Sequence, residues 1–169
     1  MMILSIITVV LSSLIQGVAS NFLGYTYHNL SLFSTIYILI ALLVIRPHFE
    51  SEKKYLILLV AFGIIMDIAY TNTFILNACL FAIIYYFSKF FHFFFPYNLF
   101  TMNISNLLCI FLYHIMNFLF LTVLRYDNYT IGVLFEVLTH NITMTIIYTS
   151  VLYSIIQLLK EKLDLKEVK

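Results

Sequence analysis

The sequence predicts an all-α protein: one integral membrane bundle of six transmembrane helices with both termini cytoplasmic. Three observations carry that expectation. First, 63% of the 169 residues are hydrophobic and 10% are charged, with a mean hydropathy of +1.01, whereas a soluble domain carries about 25% charged residues to cover its surface. Most of the outer surface must meet lipid, and residues 1–169 read as a single polytopic domain with no room for a sizeable soluble one. Second, apolar runs of roughly spanning length recur along the chain, set off by short polar connections. Third, eight of the nine Lys and Arg residues fall in residues 46–54, at Lys89 and in residues 160–169, and the connections that alternate with these hold almost none. Basic connections are retained on the cytoplasmic side during insertion, so the alternation orients each crossing.

The first helix is expected at about residues 2–20. Gly17-Val18-Ala19-Ser20 resembles a cleavage site, but Met1-Met2-Ile3-Leu4 lacks the basic start of a signal peptide, so the segment reads as a retained helix. The second helix, at about 30–45, gives way to the charged connection 46–54. The third, at about 55–70, is short: sixteen residues separate Lys54 from the polar Thr71-Asn72-Thr73. Sixteen residues reach about 24 Å at 1.5 Å per residue, against roughly 30 Å of hydrocarbon. Either this hairpin turns below the outer surface, shielded by protein, or the helix begins within residues 52–54.

The fourth helix, at about 74–94, ends among aromatics running from Tyr85 to Tyr97, an interfacial belt with Lys89 snorkelling between the rings. The fifth is expected at about 98–124 and the sixth at about 132–159, with the charged tail 160–169 continuing it into the cytoplasm. Pro47 and Pro96 both fall in cytoplasmic connections, so neither breaks a helix. Cys79 and Cys109 lie in apolar runs without a CxxC pair and read as two buried small residues, not as a disulfide or a zinc site. Seventeen Phe and thirteen Tyr with no Trp point to the codon usage of an A/T-rich genome.

Ionisable and amide side chains inside apolar runs are the scarce signal, because a carboxylate at mid-bilayer costs about 2.5–3.5 kcal/mol and therefore faces protein. Asp67 follows Gly63 by one turn on the third helix, so a neighbouring helix can come close there. Its carboxylate either contacts a ligand or caps the outer hairpin, accepting bonds from residues 71–73. Glu136 and His140 share a face of the sixth helix at the outer boundary, level with Arg125 and Asp127. They form either an interfacial charge cluster or a pair for metal or proton transfer, and two ligands without HExxH fall short of a zinc site. The fifth helix carries a polar stripe of Asn103, Asn106, Tyr113 or His114, and Asn117, which lines a pocket or ties helices together at about 0.6 kcal/mol per bond. Ser13 with Gly17, and Ala78 with Ala82, are small-residue pairs suited to close helix contact.

The structural or partner-binding candidates are Gly63, Asp67, Asn77, Asn106, His114, Asn117, Glu136, His140 and Asn141. No catalytic, cofactor or metal role is assigned to any of them, because the chain has no P-loop, no dinucleotide-binding turn and no nucleophile elbow. The expectation is a protein that is not an enzyme.

The run Gly63-Ile64-Ile65-Met66-Asp67-Ile68-Ala69-Tyr70-Thr71, the aromatic-rich helix holding Tyr85-Tyr86-Phe87-Ser88-Lys89, and Asn141 leading to Leu158-Leu159-Lys160-Glu161-Lys162 resemble the bacterial rod shape-determining MreD family. The chain departs from that family in having no Gly in the turn after Asp67 and no Pro near Val151-Leu152-Tyr153. The resemblance implies a multi-pass protein of the bacterial cytoplasmic membrane that scaffolds the elongation complex and organises lateral cell wall synthesis. Its implied partners are the single-span protein MreC, then MreB, RodA, a penicillin-binding transpeptidase and membrane lipid, with no nucleic acid and no cofactor. On this reading Gly63→Leu is expected to weaken association with MreC.

The alternative is the substrate-binding component of an energy-coupling-factor vitamin transporter, an S-component, whose architecture MreD is thought to share. There the stripe on the fifth helix and Glu136 would line an outward-facing pocket, and Ser13 and Gly17 would form a docking face. A small lipid-processing enzyme using Glu136 and His140 is a third expectation.

Overall fold

The outward faces of these helices are largely apolar, and polar side chains are buried among the apolar ones inside. The structure, a computed structural model, describes residues 2–23, 35–49, 51–71, 73, 75–123 and 131–167. Among them are α1 (Met2–Leu23), α2 (Tyr37–Ile45), a 3-10 turn (Arg46–His48), α3 (Glu52–Met66), a π-helical turn (Asp67–Thr71), α4 (Leu76–Phe94), α5 (Leu99–Val123) and α6 (Ile131–Glu167). No strand occurs among the described residues.

On α1 the buried stripe is Ser5, Val9, Ser12 and Gln16, while Ile7, Leu11, Leu14 and Val18 are exposed. On α6 the buried stripe includes Asn141, Thr145 and Thr149, while Met144, Ile147, Val151 and Leu158 are exposed. Spacings of three and four put each set on one face. Leaving such side chains exposed is favourable only where the solvent is hydrocarbon. Four helical segments among the described residues, Glu52–Thr71, Leu76–Phe94, Leu99–Val123 and Leu134–Lys162, are long and apolar enough to cross a membrane, and Ser5–Ala19 and Tyr37–His48 are shorter apolar helices. The chain is a membrane protein built as a helical bundle.

The centre of the bundle is α2, whose nine residues are all buried. It packs against α1, α4, α5 and α6, and α3 packs on α4. The expected start of this helix near residue 30 is corrected: Thr35 and Ile36 precede it in non-helical conformation, and residues 30–34 lie outside the described residues. A helix starting inside a bundle exposes N–H groups that lipid cannot satisfy. Gln16 on α1 meets the first of them, its side-chain carbonyl accepting from the Tyr37 N–H at 2.8 Å beside the Thr35 carbonyl at 3.1 Å. The Thr35 hydroxyl donates to Asn141 Oδ1 at 2.6 Å, tying the same level to α6.

Of the two ways to accommodate the short third helix, the structure takes the early start. It begins at Glu52 and, with the π-turn, runs as 20 residues to Thr71, enough for about 30 Å. The sixth helix continues without a break to Glu167 over 37 residues, about 55 Å at 1.5 Å per residue, so its charged end lies beyond the hydrocarbon. Cys109 is buried as expected, but Cys79 is exposed, because it stands on the outward face of α4 next to the buried Ala78. Lys89 makes an ion pair with Glu52 across α3 and α4, and Tyr86, Phe90, Phe93 and Phe94 are exposed near it.

Candidate functional site

The π-turn places Asp67 against the start of α4, where it is 1% exposed. Its Oδ1 and Oδ2 accept from the Asn77 N–H at 3.0 and 3.1 Å. Oδ2 accepts from the Ala78 N–H at 3.3 Å, and Oδ1 from the Asn77 Nδ2 at 2.9 Å. The Thr73 hydroxyl also donates to Oδ1. A carboxylate from another helix thus caps α4 at its positive end, satisfying N–H groups that have no partner within the helix. Ile75 precedes them at φ 60, a left-handed conformation costing a β-branched residue about 1–2 kcal/mol. The bonds to Asp67 hold the chain through that turn.

Asn77 is the hub. Its Nδ2 also donates to Thr71 Oγ1 at 2.9 Å, and the buried Tyr113 hydroxyl on α5 donates to its Oδ1. Below this knot Gly63 meets α4: a Cβ there would stand 2.5 Å from Ala78 Cα and 2.9 Å from Ala78 N. Gly63, Asp67 and Asn77 therefore form one site, and Tyr113 joins it. The close approach at Gly63 is made by α4 of the same chain, so its substitution acts on the bundle first.

The other candidates fall elsewhere. The Asn106 Nδ2 donates to Thr149 Oγ1 at 3.1 Å and the Asn103 Nδ2 to Ser150 Oγ at 3.0 Å, so the N-terminal part of the α5 stripe is bonded to α6. His114 and Asn117 are buried on α5. Asn141 receives Thr35 and donates to the Val137 carbonyl at 2.8 Å. Glu136 and His140 are on an exposed face of α6, and Arg125 and Asp127 lie outside the described residues. Among the described residues no three His, Cys, Asp or Glu side chains are grouped to hold a metal ion.

Four tie-points had no place among the candidates. Gln16 caps α2, Tyr55 donates to the Leu42 carbonyl at 2.8 Å, Tyr70 to the Ser13 carbonyl at 2.8 Å, and Tyr148 to Ser12 Oγ at 2.7 Å. Gln16 carried a usable signal, an amide one turn after Ser12 in an apolar helix. The tyrosines carried none, being indistinguishable in sequence from the interfacial ones. The Ser13–Gly17 face is covered by Tyr70, whose hydroxyl would be 3.1 Å from a Cβ at Gly17.

At the other end of the bundle Arg46 stands 5.2 Å from the Tyr85 ring centre and 5.9 Å from that of Tyr97, within cation–π range. His48, in the connection between α2 and α3, is held below its ordinary imidazole value by burial first and by the Lys160 ammonium second. No family model, curated protein or solved structure matches the chain.

Proposed function

We propose that this protein is a non-catalytic scaffold of the bacterial elongation complex, similar to MreD, that binds the single-span partner MreC and helps organise lateral cell wall synthesis in the cytoplasmic membrane. The observation that carries the reading is the use to which the buried polar groups are put. Asp67, Asn77, Asn106 and Asn141 are each bonded to a neighbouring segment of the bundle, a framework of fixed shape. The outer face of α1 is apolar at Ile7, Leu11, Leu14 and Val18 and the middle of α6 at Met144, Ile147 and Val151, and a partner helix at the same depth can pack on them. On this reading both tails are cytoplasmic and all six helices cross.

The vitamin-transporter reading asks the α5 stripe to line a pocket, and Asn103 and Asn106 are instead joined to Ser150 and Thr149. The test is co-expression with MreC from the same genome. Stoichiometric co-purification is the expected result, with loss of rod shape on depletion. Isolation with an ATPase pair and a bound vitamin would replace this function with the transporter one.

A further inference from the structure

Opposite the Asp67 end, the 3-10 turn after α2, the connection between α4 and α5, and α6 enclose a hollow of about 370 Å³. That is within the range of small-molecule sites. Its floor is apolar, made by the buried Val44, Met102 and Ile156. Its rim is polar: His48 comes from the turn, and Gln157 and Lys160 from α6. Tyr97 and Pro47 divide it from a second hollow of about 190 Å³ that holds Arg46. The Arg46 Nη1 is buried with no hydrogen-bond partner among the described residues.

We propose that this cleft binds one anionic phospholipid, its phosphodiester between His48 and Lys160 and its glycerol and acyl carbons on the floor of Val44, Met102 and Ile156. A phosphodiester offers only acceptors, and Lys160 and the Gln157 amide supply donors from the rim, while the Arg46 guanidinium adds positive charge from the neighbouring hollow behind Tyr97 and Pro47. Depth selects the source of the phosphate. Tyr97 lines the cleft and adjoins the exposed Phe93, Phe94 and Phe95, and such aromatics mark the interfacial level where lipid headgroups lie. Basic pockets between helices at that level take anionic headgroups. The apolar floor suits a lipid and gives nothing to a free phosphate or to an acidic side chain. Two carboxylates bear on the charge balance. Glu52 is paired with Lys89, whereas Glu161 lies on the rim and opposes the anion. The proposal stands apart from the scaffold reading.

The test uses the full chain in nanodiscs of phosphatidylglycerol and phosphatidylcholine, with bound lipid read by native mass spectrometry. One retained phosphatidylglycerol per chain is expected. Lys160→Gln should lower its affinity about fivefold, and Glu161→Gln should raise it, while Lys53→Gln, at the same end outside the cleft, should change it less than about twofold. Equal losses in the Lys53 and Lys160 variants would reduce the effect to diffuse surface attraction and overturn the site. So would displacement of the lipid by inorganic phosphate or by an acidic peptide at matched concentration. A photoactivatable phosphatidylglycerol on the unaltered chain checks the site without any variant. Cross-links within residues 44–48, 97–102 and 153–161 support it, and cross-links only elsewhere overturn it.

Discussion

Asp67 is a buried carboxylate that accepts from Thr73 in the turn and from Asn77 and Ala78 on α4, and the turn at Ile75 depends on those bonds. Asp67→Ala removes the cap of α4, about 1 kcal/mol, and leaves the Asn77 donors unsatisfied at about 1–3 kcal/mol more. The expected loss is about 2–4 kcal/mol, measured as a lower unfolding midpoint in detergent. Gly63→Ala should cost about 1–3 kcal/mol by overpacking. Because the atoms in the way are Ala78 Cα and N, Ala78→Gly should not rescue it. A rescue would mean the helices part more easily than their backbone contact allows. Gly63 and Asp67 were legible as a pair in sequence, since one turn separates them on an apolar helix. Their partner was not: nothing local to Asn77 or Tyr113 says that they converge on that carboxylate from two other helices.

At the scale of the element, α2 is the instructive case. Its nine residues are apolar on every side, so periodicity gives no facing direction, and a helix hydrophobic all round belongs at a centre. The sequence extended it back to residue 30 because an apolar run continues there. Its described start was instead set by a side chain from α1, Gln16, far off in the chain. Gln16→Leu removes the side-chain acceptor of the Tyr37 N–H and leaves it the Thr35 carbonyl at 3.1 Å, costing about 1 kcal/mol. Hydrogen exchange at the Tyr37 amide should accelerate markedly while exchange in the middle of α5 changes only with global stability. The third helix shows the opposite relation. Its missing turn was already implied by arithmetic on bilayer thickness, and the choice between an early start and a sunken hairpin fell to the early start at Glu52.

For the whole molecule, orientation of the faces is the controlling fact: the buried polar side chains sit among an apolar core, and Leu, Ile, Val and Phe also cover much of the outward surface. A charge on an outward apolar face should therefore be penalised as strongly as one in a soluble core. Leu14→Arg and Ile147→Arg should each disfavour insertion by about 2.5–3.5 kcal/mol if centred in the bilayer. Glycosylation-mapping of the inserted fraction measures this, and Ile147→Val should leave the fraction unchanged. Burial of those two side chains by protein would instead show up as tolerance in the membrane with loss of folding. The proposed topology is checked by reporter fusions at residue 169 and in residues 46–54, both expected on the cytoplasmic side.

Composition and the spacing of charges by themselves determined the membrane character, the all-helical class and most helix bounds, because hydrocarbon imposes one rule on every residue it touches: satisfy the backbone within a helix and keep charge at the ends. Only the tertiary structure decided which polar side chains meet. Asp67 with Asn77 and Tyr113, Gln16 with the start of α2, and the hollow between His48 and Lys160 each join segments far apart in the chain. Such meetings depend on how the helices rotate and pack against one another, and hydropathy, being a property of single residues, carries no record of that.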